Sequence, residues 1–234
     1  RITEEGILAT VVDGYIDQAN VYFDQNGNGQ RDLTEILLQT DSQGQFTVPH
    51  QLPGLTMVAY GGTDTSTGAS FDGSMSAPAG IVVINPLTTL VESVSSAQEE
   101  LIDRAVAFGQ AFGQLPLTEH VLAFDPLNIL LSPEADQASY DAALETQKIA
   151  QQLINTSVFA EGLMTTQVDS SGDDQSAKVW ESLSRHLLAS NATDPFSDET
   201  FNQSLVRDLV SEDTDASTVQ RISNALVATN SAID

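Results

Sequence analysis

The hydrophobic pattern of this chain changes period once, at Asn85-Pro86, and that change divides what each half can fold into. Upstream, short apolar runs alternate with Gly, Asp and Asn clusters. Ile7–Val12, Ala19–Phe23, Glu35–Thr40, Gln45–Val48, Leu55–Tyr60 and Ile81–Ile84 read as strands at short, regular spacing. Turn chemistry such as Asp41 to Gly44 lies between them, the pattern of a small antiparallel sandwich or barrel. Downstream the apolar residues recur at helical spacing. Asn85 is a good N-cap, with Pro86 at the first helical position.

Single helical faces are expected to carry Leu101, Ala105, Phe108 and Phe112, then Tyr140, Leu144, Gln147, Gln151, Ile154 and Val158. Val179, Leu183 and Leu187 repeat the pattern, as do Phe201, Leu205 and Leu209, with Ser197 as N-cap and Phe196 stapled onto Phe201. Val219, Ile222, Leu226 and Thr229 form a last stripe. The expected class is therefore α+β. An N-terminal antiparallel β-sandwich spans residues 1–85, and a C-terminal bundle of five to seven helices spans 86–234. The segment Thr166–Gln175 reads as a flexible connection between helices.

Charge excludes several functions. Acids outnumber bases 33 to 8, a net charge of -25, and both halves are acidic. A nucleic-acid binder needs Lys and Arg for phosphates, and an anionic membrane surface would repel such a chain. The bland reading of the charge is solubility. Cysteine is absent, which removes disulfides, thiolate metal sites and cysteine nucleophiles. No apolar run reaches the roughly 18 residues of a membrane span. No signal peptide is visible, and the start at Arg1 is what an excised fragment would show.

One motif carries chemistry. Asp24, Asn26, Asn28, Asp32 and Glu35 stand at positions 1, 3, 5, 9 and 12 of a loop, with Gly29 at position 6 and Gln30 offering its carbonyl at position 7. This is the spacing of a calcium loop of the EF-hand type. Alternate residues of a tight coil point inward, and Ca²⁺ wants six to eight oxygens, whereas Mg²⁺ keeps more of its water. The flanks read as strands, so the expectation is a structural calcium between strands and not a helix–loop–helix sensor. The competing reading is an Asn-Gly hairpin turn that binds nothing.

Gly14 to Asp24, with Ala19 and Val21 ahead of this loop, and Thr40, Asp41, Gly44 and Phe46 after it, resembles the prealbumin-like (Ig-like) B-type repeats of bacterial surface proteins. There a Gly-x-x-x-x-Ala-x-Val-x-x-Asp strand leads into a calcium loop. Gly61, Gly62, Asp64 and Gly68, then Ala77, Pro78 and Gly80, then Asn85 to Val91 and Phe124–Leu127, are similar to segments of long secreted bacterial proteins, including calcium-dependent RTX-type adhesins. The resemblance covers residues 7–160. It implies a secreted or cell-surface bacterial context, a calcium-bound sandwich, and a part in adhesion or in spacing other domains. The isopeptide cross-link of some B-type repeats is excluded from the β half, because the lysines are Lys148 and Lys178.

Other constellations are weaker. Asp64, Thr65, Thr67 and Asp72 form a second oxygen cluster, but Asp followed by Ser or Thr is more often a self-capping turn. His50, His120 and His186 lie in different elements, too scattered for a zinc or iron site. Asp125-Pro126, Asp194-Pro195 and Ser132-Pro133 read as helix starts. No nucleophile–base set is readable. The expected function is a non-catalytic, calcium-stabilised structural or adhesive module. A module that binds a surface glycan or a peptide ligand is the alternative, and an enzyme comes third.

Overall fold

In the computed structural model the described residues are 6–50, 52, 54–94, 101–112, 122, 124–165 and 175–233. Of the expected connection at 166–175, residues 166–174, with Asp169, Asp173 and Asp174, fall outside them, as does His120, while Gln175 is helical. The chain is α+β, strands first and helices after.

Nine strands form three sheets among the described residues: β1 Gly6–Val11, β2 Ile16–Asp17, β3 Asn20–Asp24, β4 Leu37–Gln39, β5 Gln45–Pro49, β6 Thr56–Tyr60, β7 Thr63–Asp64, β8 Ser74–Ala77 and β9 Val83–Ile84. The larger sheet runs β4-β3-β6-β8, all antiparallel. Period-2 alternation sends Phe46 and Val48 of β5, Met57 and Ala59 of β6, and Met75 and Ala77 of β8 inward. The second sheet, β5-β1-β9, departs from the all-antiparallel expectation. β9 lies parallel to β1, with Thr10 opposite Val83 and Val11 opposite Ile84. Hairpin partners must be antiparallel, but β9 returns after a long excursion and is free to take either direction. The expected strand at Glu35–Thr40 shrinks to β4, because Glu35 is occupied in a turn, its N–H donating to Asp32 O at 3.1 Å. β2, β7 and β8 are too short to stand out as hydrophobic runs and were not anticipated.

Helix α1, Pro86–Ser93, begins where the period changes. Asn85 Oδ1 accepts from Thr88 N at 2.8 Å while Thr88 Oγ1 accepts from Asn85 N at 2.9 Å, a reciprocal cap. Neighbouring hydroxyls stitch α1 to the sheet. Thr88 Oγ1 donates to Ser76 O at 2.8 Å, and Ser76 N donates to Thr89 Oγ1 at 2.9 Å. The remaining helices are α2 Leu101–Ala111, α3 Pro126–Leu130, α4 Gln137–Thr165, α5 Gln175–Ala189, α6 Glu199–Leu209 and α7 Ala216–Ser231, with a 3₁₀ turn at Pro195–Ser197.

Most anticipated faces are buried: Ala105 and Phe108 on α2 and Phe112 just after it, Val179, Leu183 and Leu187 on α5, Phe201 and Leu205 on α6, Val219 and Leu226 on α7. Four details differ. Asp198, not Ser197, caps α6, its Oδ1 accepting from Phe201 N at 2.7 Å; Ser197 closes the 3₁₀ turn. Phe196 does meet Phe201 edge to face at 6.1 Å, and it also stacks on Phe112 at 5.9 Å. Ser132-Pro133 makes a turn, and Asp136 serves the start of α4, accepting from Ser139 N at 2.8 Å. On α7 Thr229 is exposed and Asn230 takes the buried place.

The fourth difference is α4. Its buried stripe is Ala143, Thr146, Ala150, Leu153, Ser157 and Ala160, whereas Leu144 is 52% exposed. The expected face looks partly toward the sandwich instead. Gln151 reaches Asp13, and Ile154 and Val158 lie against Gly73. The core runs without a break from Val21, Phe23 and Ile84 through Leu87, Leu90 and Val91 to Leu183 and Leu187. Further ties cross the same junction: Trp180 Nε1 donates to Ser74 O at 3.2 Å, and Tyr15 OH to Asp125 Oδ2 at 3.0 Å. Among the described residues no helix is long and apolar enough to cross a membrane.

Candidate metal centre

The β3–β4 connection carries the loop. Asp24 ends β3 and Glu35 stands two residues before β4, so antiparallel pairing of these strands brings the two ends of the loop together. Both carboxylates are taken out of water, Asp24 at 8% exposed and Glu35 at 6%, and a buried carboxylate needs partners. Backbone N–H groups supply them. Asp24 Oδ1 accepts from Gly27 N at 2.7 Å and Asn28 N at 3.3 Å, and its Oδ2 from Gly29 N at 2.8 Å. Glu35 accepts from Gln25 N and from Asp32 N, each at 2.9 Å. The last acid of the loop therefore clamps its second residue.

The middle of the loop is coiled by the same device. Asn26 Oδ1 accepts from Asn28 N at 3.1 Å, and Asn28 Oδ1 from Gln30 N at 2.8 Å. Gly27 and Gly29 both have φ of +70°, where a side chain is strained. Tyr22 OH donates to Gly29 O at 2.7 Å and ties the coil to the sheet. The side chains of Asn26, Asn28 and Asp32 converge, with Asp32 Oδ2 at 2.6 Å from the Asn26 amide nitrogen and 3.3 Å from that of Asn28.

Asp24, Asn26, Asn28, Gln30, Asp32 and Glu35 thus share one coil. Among the described residues, however, no three His, Cys, Asp or Glu side chains stand together as a metal cage. The three acids alone do not make a site. A cation here would also need the amide oxygens of Asn26 and Asn28 and the Gln30 carbonyl, a set of hard oxygen donors that suits Ca²⁺. A carboxylate has about four acceptor directions. The backbone contacts of Asp24 and Glu35 leave some of these over.

The second oxygen cluster does not assemble. Asp64 accepts from Ser66 N at 2.8 Å, Ser66 Oγ at 2.6 Å and Thr67 Oγ1 at 2.8 Å, a self-capping turn, while Asp72 is exposed. Burial works to raise the Asp64 carboxyl, but these hydrogen bonds prevail and hold it below its ordinary range. The histidines do not converge either. His50 is exposed on a loop, and His186 Nε2 lies 3.7 Å from Asp208 Oδ2. Burial pushes His186 down, against the pull of Asp208. Asp125 and Asp194 cap their turns, accepting from Asn128 N at 3.1 Å and Ser197 N at 3.3 Å.

A cleft of about 490 Å³ lies at the junction between the loop, the sheet and the helices, the place where a shallow ligand site is expected, with Gly27 and Asn28 on one wall and Glu92, Trp180 and Glu181 on the other. One feature is not announced by the sequence: Asp13, buried beside α4. Its only local signal is an acid placed directly after the apolar Val11 and Val12. No family model matches the chain, and neither the curated proteins nor the solved structures give a match.

Proposed function

We propose that this chain is a calcium-stabilised, non-catalytic module of a large secreted or cell-surface bacterial protein, holding or spacing other parts of it. The observation that carries the reading is the Asp24–Glu35 coil, whose acids are pre-positioned by backbone N–H groups and whose amides converge on Asp32. Asp24 and Glu35 at the ends of the coil and Asn26, Asn28, Gln30 and Asp32 in its middle would hold Ca²⁺ through their oxygens, and the ion would supply the positive charge that balances the three acids. Binding to the folded state alone adds about 2.7 kcal/mol at a hundredfold excess over Kd. The test is thermal unfolding in calcium and in chelator. Calcium is expected to raise Tm, and Glu35→Ala to abolish the rise. Equal Tm values in the two buffers for the parent chain would remove the calcium reading.

The cleft between loop and helices supports a second reading, a site for a glycan or peptide ligand. Its walls offer the Glu92 carboxylate, already accepting from Thr56 Oγ1 at 2.9 Å, and the indole of Trp180. Trp180 is 2% exposed and its N–H is engaged, so it is poorly placed for stacking on a sugar ring, and a peptide is the better fit.

A further inference from the structure

Away from the metal loop, the junction between the sandwich and α4 holds a buried carboxyl. Asp13 follows β1, and its carbonyl oxygen and its Oδ1 both accept from Gln151 Nε2, at 2.6 and 2.7 Å. One amide from α4 thus clasps the main chain and the side chain of a single residue. The next residue, Gly14, has φ of +101°, and a Cβ there would lie 1.9 Å from Asp64 Oδ1, so the Asp64 carboxylate packs directly on this turn. Asp64 is kept charged by its bonds from Ser66 and Thr67. It is the charged group acting on Asp13 from β7, while α4 presents the neutral Gln151. The nearby Asp125 is engaged by Tyr15, whose hydroxyl is pushed up by burial and then by Asp125 itself.

We propose that Asp13 is a proton-operated latch between the sandwich and the helical half. Protonated, it is a neutral partner for Gln151. Ionised, it sets a buried carboxylate against the charge of the half-buried Asp64 beside it and loosens the junction. Burial, and next the charge of Asp64, push the Asp13 carboxyl up to about 8. A carboxyl raised on folding holds its proton more tightly in the folded chain. Its contribution to stability is full below the ordinary value of 3.8 and is lost as the pH climbs to about 8.

Trp180, the single tryptophan, donates to Ser74 O across the same junction, so its emission reports the latch in the full chain. At fixed calcium, from pH 5 to 9.5, Tm is expected to fall until about pH 8 and to level off above it, and the emission of the folded chain to shift red with a midpoint near pH 8. Asp13→Asn should remove that step, and Asp64→Asn should move it to lower pH. The carboxyl-carbon NMR shift of Asp13 in the parent chain gives the titration directly, even if Asp13→Asn does not fold. Titration of Asp13 in the ordinary carboxylate range would overturn the proposal, as would a step that both substitutions leave unchanged.

Discussion

A glycine at positive φ is needed either for its backbone angle alone or for the angle and the space together, and the β half contains both kinds. Gly68 has φ of +73° and nothing within 4 Å of where a Cβ would stand. Gly44, at φ of +68°, would place its Cβ 2.5 Å from Val11 O, and Gly44 O accepts from Val11 N at 2.8 Å. Gly68→Ala should therefore cost only the left-handed penalty, about 1–2 kcal/mol. Gly44→Ala must also part the turn from β1 and should cost about 2 kcal/mol more. Urea unfolding of the two variants measures the difference; equal costs would mean the β1 contact yields freely. Single residues also show what was readable in advance. The coil that joins Asp24 to Glu35 declares itself because it is local, its oxygen-bearing side chains standing at fixed offsets along the chain. Asp13 does not, because its environment is made by Gln151, 138 positions away.

At the scale of the element, the sharpest question is which residue starts α6. Asp198 Oδ1 holds Phe201 N at 2.7 Å, so Asp198→Ala should cost about 1 kcal/mol, while Ser197→Ala, outside the helix, should be near neutral. The reverse order in chemical denaturation would return the cap to Ser197. Element types were legible from period, and the start of α1 from Asn85-Pro86. Which face of α4 turns inward was not. Large side chains drew the expected face through Tyr140 and Leu144, both exposed, whereas the stripe that packs is mostly small: Ala143, Ala150, Ser157 and Ala160. Small residues let helices approach closely, yet they add little to a hydropathy pattern. The same helix carries a polar link to α7, where Asn155 Nδ2 donates to Asn230 Oδ1 at 2.7 Å and Asn230 Nδ2 to Thr156 Oγ1 at 3.0 Å. That link depends on a partner distant in sequence. The parallel placing of β9 beside β1 is hidden for the same reason: strand direction is a property of long-range closure.

At the scale of the whole molecule, a chain of net charge -25 is held against its own repulsion by one continuous apolar core and by bonds that join its halves. α1 is the hinge of that arrangement. Its threonines bond to Ser76 of the sheet, its Leu90 is fully buried, and Ser93 Oγ pairs with Ser184 Oγ of α5 at 2.5 Å. Unfolding the sandwich alone would expose Leu87, Leu90 and Val91 to water, at about 25 cal/mol for each Å² of apolar surface. Unfolding the helices alone would strip the same residues from the other side. Neither half can leave without that cost, so heating should give one transition. Far-UV circular dichroism, which follows the helices, and Trp180 emission, which follows the junction, should share a midpoint. Leu90→Ala, which leaves a cavity in the shared core, should lower that midpoint in both signals together and destabilise the chain by about 3 kcal/mol. Two separate calorimetric transitions in the parent chain, or a Leu90→Ala shift confined to one signal, would show that the core is divided at α1 and that the halves unfold as separate units.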